Sequence, residues 1–206
     1  NEQVLVNKQV IIQKAGVTKP IINFTGTPAL VSGRLTAFEV TVPNVTINGF
    51  EFKIDVSKLG SAIIASVPLP GSVSNLQLLN NDINPYRSSG STVAYAARNA
   101  VNINFDAYRV GSSNPSGLLV QGNTVSYNYG VDSTPGTLDD AGFRSGIATD
   151  EGAGTFTGNT LQTINHDIVA RFNELFTAKY RWGLISGPYN QTYDNGITLH
   201  FDVELF

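Results

Sequence analysis

Apolar and polar residues alternate one for one through many short runs of this chain, and a period of two restricts those runs to β-strands. Val101, Ile103, Phe105 and Ala107 alternate with Asn102, Asn104, Asp106 and Tyr108. Phe50, Phe52, Ile54 and Val56 share one face of another run, which follows Val45-Thr46-Ile47 and an Asn48-Gly49 pair. Asn-Gly readily supplies the two positive-φ residues of a type I′ turn, so a hairpin over 45–56 is expected. A second Asn-Gly, at 195–196, leads into Ile197, Leu199, Phe201, Val203 and Leu205 on one face of a final strand, with Thr198, His200, Asp202 and Glu204 on the other. Further strands are expected near 2–13, 21–25, 34–42, 61–67, 73–79, 91–98, 117–121, 123–129 and 179–185.

One segment departs from this period. Leu161, Ile164, Ile168, Phe172, Leu175 and Phe176 recur at the spacing of an amphipathic helix, and Asn159 or Thr160 stands where a cap belongs. The spacing predicts one helix near 160–178, packed on a sheet. About ten short strands with Gly/Pro-rich turns and one helix point to a single mainly β domain over 1–206, an antiparallel β-sandwich or jelly roll. A closed barrel is the alternative. No internal repeat of fixed period is evident.

Two segments stand apart from the strand pattern. Residues 130–159 carry few large apolar side chains and several acids, the composition of a long Gly/Asp-rich loop. At the other end, Val4, Val6, Val10 and Ile12 form an aliphatic face interrupted by Lys8, followed by Ala15-Gly16 and Lys19-Pro20. Residues 1–16 could therefore pair in their own sheet, or act as an arm that completes a neighbour's edge.

Composition narrows the function classes. Charged residues are only 14% of the chain, the net charge is −3 and there is no cysteine. No basic field is present to gather phosphates, so nucleic acid is not an expected partner. Thiol catalysis, disulfides and thiolate metal sites are excluded. No run of apolar residues is long enough to insert in a membrane as a helix. The chain has no methionine and starts Asn1-Glu2-Gln3. With the low charge, this suggests removal of a leader and a place outside the cell, at a cell surface or in a virion. Asn23, Asn44 and Asn190 head N-x-Ser/Thr sequons of the kind that chance supplies in an Asn- and Thr-rich chain.

The chemistry-bearing residues are sparse. No nucleophile elbow, phosphate loop, zinc-protease motif or calcium loop occurs, and catalytic and cofactor-binding residues are expected to be absent. His200, Asp202 and Glu204 lie on one strand face and read as a solvated edge; His166 and Asp167 fall on the polar side of the expected helix. Calcium is the only ion suggested, through loop carboxylates Asp139, Asp140, Asp150 and Glu151. Tyr180, Trp182, Tyr189 and Tyr193, with Arg181, have the residue types of a sugar-binding surface, and Tyr127 and Tyr129 form a second same-face pair.

Three functions follow from these observations. The first is a non-enzymatic structural subunit that assembles with itself into a filament or coat, with Val4, Val6, Val10 and Ile12 as the assembly strand. In architecture that resembles strand-exchanging pilus subunits and jelly-roll coat proteins, and it implies a homo-oligomer. The second is a secreted lectin-like or adhesin-like module that binds glycan. The third is a polysaccharide-active enzyme using carboxylates from Glu39, Glu51, Asp202 and Glu204.

Overall fold

The computed structural model describes residues 3–27, 35–66, 71–88, 97–103, 115–130, 141–150, 154–162, 166–173, 180–184 and 193–199. Its strands fall into two sheets. The seven-stranded sheet contains β1 (Val4–Val6), β4 (Thr36–Val40), β7 (Ser61–Ala65), β10 (Ala97–Ile103), β13 (Phe143–Asp150), β15 (His166–Asn173) and β16 (Tyr180–Leu184), in that order. The other sheet is curled into a half-barrel. One limb holds β2 (Ile11–Gln13), β5 (Thr46–Asn48), β8 (Gln77–Leu79) and β11 (Leu118–Gln121). The other holds β3 (Ile21–Asn23), β6 (Glu51–Asp55), β9 (Asp82–Tyr86) and β12 (Thr124–Val125). The long β14 (Gly154–Leu161) joins the limbs: its first half pairs with β11 and its end pairs with β12.

Every pairing among β1 to β15 is parallel. Only β16 and β17 (Tyr193–Leu199) pair antiparallel, with β15 and β14. The antiparallel sandwich or jelly roll is thus overturned. Alternation along a strand is the same in both kinds of sheet, so it could not separate them. A parallel pair needs a long crossover, commonly a helix; here the two curled-sheet strands of each turn of chain provide it. Successive turns of chain stack into a coiled solenoid.

The stacking aligns like side chains into columns. Val4, Phe38, Ile63, Val101 and Ile147 are in register across the flatter sheet. Ile12, Ile47, Leu78, Val120 and Phe156 form the column of the first limb. Ile22, Phe52, Ile83, Val125 and Leu161 form that of the second. These columns meet inside, where the rings of Phe38 and Phe52 pack edge to face at 5.4 Å. The expected common face of Phe50, Phe52, Ile54 and Val56 is buried.

The Asn48-Gly49 hairpin does not form. Asn48 and Gly49 turn the chain from one limb to the other, and the Gly49 N–H donates to Leu79 O of the next coil instead of closing a two-residue turn. Gly49, Asn80, Gly122 and Gly158 occupy the same corner of four successive coils, with φ of 82°, 54°, 65° and 61°. That left-handed position favours Gly or Asn. A Cβ on Gly122 would lie 2.6 Å from Asn80 Oδ1, so a side chain there would have to displace the Asn80 amide.

The next position in the corner points inward and builds a ladder. Asn81 Nδ2 donates to Asn123 Oδ1 and Asn123 Nδ2 to Asn159 Oδ1, each at 3.0 Å. The same amide nitrogens reach the carbonyls of Ile47, Leu78 and Val120 in the preceding coils. Backbone N–H groups of Phe50, Asn81 and Asn123 donate to the ladder oxygens. Each buried amide thereby satisfies a turn that has no strand partner.

The helix near 160–178 is also overturned where the residues are described. Leu161 ends β14, and His166–Asn173 form β15, placing Ile168 in register with Ile147. Ile168, Ala170 and Phe172 also fit the period of two that a strand requires, so the spacing alone could not decide. Leu175 and Phe176 lie outside the described residues. Within the expected 130–159 loop, most of 143–159 is strand. The 1–16 segment pairs in its own sheets, β1 with β4 and β2 with β5.

Candidate binding face

Burial decides which surface can meet a ligand. Phe38 points into the core, so Glu39 lies on the other face of the flatter sheet, in register with Leu5, Ile64 and, beyond it, Asn102 and Ala148. Glu39, Ile64, Asn102 and Ala148 are all buried. Where described, β4, β7, β10 and β13 of that sheet are buried on both faces, and the curled sheet presents accessible ones.

The outer face of the second limb is a grid of polar groups. Alternation turns Glu51 and Lys53 outward on β6, and Asp82, Asn84 and Tyr86 outward on β9, with Asn23 beside them on β3. Lys19 Nζ donates to Asp82 Oδ1 at 2.7 Å. Asn84 Nδ2 donates to Glu51 Oε1 at 3.1 Å, and Lys53 Nζ stands 3.8 Å from the same oxygen. The Tyr86 hydroxyl donates to Asn23 Oδ1 at 3.2 Å. Burial, and then the nearby Asp55 carboxylate, raise the Tyr86 hydroxyl above its ordinary pKa. It is therefore a firmly protonated donor. These side chains are held by one another and leave further donors and acceptors for a ligand. Their charges alternate and nearly cancel, so the face suits a neutral partner rich in hydroxyls.

Asp55 anchors one end of this grid. Its side chain is 1% exposed, and its Oδ1 accepts from Ser57 N, Ser57 Oγ and Ser88 N. Oδ2 has no hydrogen-bond partner but lies 3.6 Å from Lys58 Nζ. Burial alone would raise the carboxyl pKa; the hydrogen bonds from Ser57 and Ser88 outweigh it and set the value below 3.8. Asp55 ties the turn after β6 to the turn after β9.

The outer face of the first limb differs in kind. Its two rows read Ile11, Thr46, Gln77, Leu119, Thr155 and Gln13, Asn48, Leu79, Gln121, Thr157. None of these residues carries a charge.

Of the residues singled out from sequence, Val6 is buried, and Val4, Val10 and Ile12 pack against the core of their own chain. Tyr180 and Trp182 lie on β16 of the flatter sheet, whereas Tyr193 opens β17 of the curled one, so these aromatics do not share a sheet. Tyr189 lies outside the described residues. Tyr127 and Tyr129 do meet, with ring centroids 4.9 Å apart. Asp150 ends β13, in register with Arg171; Asp139, Asp140 and Glu151 are outside the described residues. Among the described residues no group of His, Asp and Glu could hold a metal ion. Glu39 and Glu51 sit on different sheets and do not pair as catalytic carboxylates; His200, Asp202 and Glu204 are outside the described residues. His166 and Asp167 open β15.

Sequence reasoning missed Lys19, Asn23, Lys53, Asp82, Asn84 and Tyr86 as a group. They come from three different coils, and only parallel stacking brings them together.

The fold and its exposed limbs define a parallel β-solenoid with two chemically distinct lateral faces. No protein family, curated protein or solved structure matches the chain. Among the described residues no helix is long and apolar enough to cross a membrane.

Proposed function

We propose that the chain is a non-enzymatic, extracellular glycan-binding module of the lectin or adhesin kind, which holds a neutral sugar polymer across the outer face of the second limb. The observation that carries this reading is the cross-linked grid of Glu51, Lys53, Asp82, Asn84 and Tyr86 on adjacent strands. Strands about 4.8 Å apart place hydrogen-bonding groups at close, regular intervals, and the Tyr86 ring offers an apolar patch for sugar C–H groups. Calcium has no assigned part in this contact. A glycan array followed by calorimetry tests it. Asn84→Ala and Tyr86→Ala each weaken binding about tenfold, the loss of roughly one good hydrogen bond or ring contact, while Trp182→Ala leaves it unchanged. An array that stays blank at high protein concentration removes the proposal.

Self-assembly remains a second reading, favoured by a separate observation. Among the described residues, the outer edges of β1, β2 and β3 pair with no strand, and Leu5, Ile11, Val17 and Ile21 are exposed in this same coil. Unpaired strand edges are templates for another chain.

A further inference from the structure

The first limb carries a surface that the polar grid does not use. From its composition and shape we infer that the outer face of β2, β5, β8, β11 and the first half of β14 is a second contact surface, and that its occupant is an uncharged polysaccharide lying flat across the strands. The inference stands apart from the function proposed above, because it concerns different side chains on a different limb.

Three observations support it. The face has its rows set by parallel strands in register. It is free of charge. Gln77, Gln121 and Thr155 each both donate and accept hydrogen bonds, while Leu79 and Leu119, half-buried on adjacent strands, give a diagonal apolar patch. That pairing of amides and hydroxyls with C–H surface complements a neutral sugar polymer, whose ring edges are polar and whose ring faces are apolar. An ionised polymer would find no counter-charge here.

Size selects the occupant. Five strands at about 4.8 Å and three outward-to-outward residues at about 3.3 Å give a face of roughly 24 Å by 10 Å. A stable protein interface needs about 800 Å² on each partner, several times more. A second copy of the chain is therefore poorly served, whereas a flat polymer chain is covered along several sugar units.

Co-sedimentation with microcrystalline cellulose and with insoluble chitin, and with calcium-gelled polygalacturonate as the charged comparator, tests the proposal. The wild-type chain is expected to sediment with at least one neutral polymer and not with the charged one. Leu79→Glu and Leu119→Glu, which place carboxylates that must stay hydrated, are expected to weaken this at least ~10-fold. Gln77→Ala with Gln121→Ala serves if the glutamates disturb folding, with circular dichroism as the check. Trp182→Ala, on β16 of the flatter sheet and on neither limb, leaves sedimentation unchanged. Wild-type protein that stays in solution with both neutral polymers overturns the inference, as do first-limb variants that sediment like wild type. A wild-type dimer in light scattering that the same variants dissolve also overturns it, because the face then belongs to a second copy. Sedimentation that depends on the first limb while the glycan array stays blank leaves this inference standing and removes the function proposed for the second.

Discussion

Asp55 shows how a single side chain can be required in its charged form. It is buried, yet three hydrogen bonds reach one oxygen from two successive coils and an ammonium faces the other. Its folded pKa lies below the unfolded value of 3.8. The stabilisation is therefore complete at pH values above the unfolded pKa and is lost as pH falls through the lower, folded one. Urea midpoints measured from pH 6 downward should fall steeply only below about pH 4 in the wild type. Asp55→Asn keeps the shape but not the charge: it should be less stable at pH 6 and flatter toward acid. Equal acid slopes in the two proteins would show that Asp55 is not the titrating group. The role was invisible in sequence, because Ser57 is near Asp55 in the chain but Ser88 is a coil away.

At the scale of elements, alternation placed side chains correctly in or out on β6 but not on β10, where Asn102, expected on a wet face, is buried; on neither did it settle the partner of the strand. Phe50, Phe52, Ile54 and Val56 illustrate this: their common burial is what the period of two implies, yet the Asn-Gly before them is a corner and not a hairpin. The corner also held a repeat that a search for fixed period passes over. Phe50, Asn81, Asn123 and Asn159 occupy equivalent places at separations of 31, 42 and 36 residues, so the number of residues per coil is not constant. The signal is the local pattern: an apolar residue, one more, then Gly or Asn, then Asn, one more, then an apolar residue, as in Val120-Gln121-Gly122-Asn123-Thr124-Val125 and Phe156-Thr157-Gly158-Asn159-Thr160-Leu161. Asn123 stands mid-ladder and serves both neighbours. Asn123→Ala would strip partners from Asn81 N–H, the Asn81 amide and Leu78 O. Each orphaned buried group costs about 1–3 kcal/mol, so the variant should lose roughly 3 kcal/mol or more in denaturant unfolding. A loss below about 1 kcal/mol would mean that the ladder is replaceable, for instance by water.

For the molecule as a whole, parallel stacking makes stability a sum over neighbouring coils and leaves the ends different from the middle. Interior coils are paired above and below; the first is paired, among the described residues, only through β4, β5 and β6. The sequence expectation that Val6 and Val10 mark an assembly strand takes a different physical form here. Val6 is 5% exposed and faces its own core, so Val6→Asp would disrupt the first coil and say little about association. Leu5 and Ile21 are the informative positions, since they are 45% and 54% exposed and lie on two of the open edge strands. If edges join copies of this chain, the apparent mass in light scattering should rise with concentration. Leu5→Lys together with Ile21→Lys should shift that rise to about tenfold higher concentration, as edge lysines do by demanding hydration where a strand would pair. The core is untouched by either change, so the thermal midpoint should move little. A wild-type chain that stays monomeric across the whole concentration range would leave the lateral faces, and not the edge, as the surfaces through which this solenoid meets its partners.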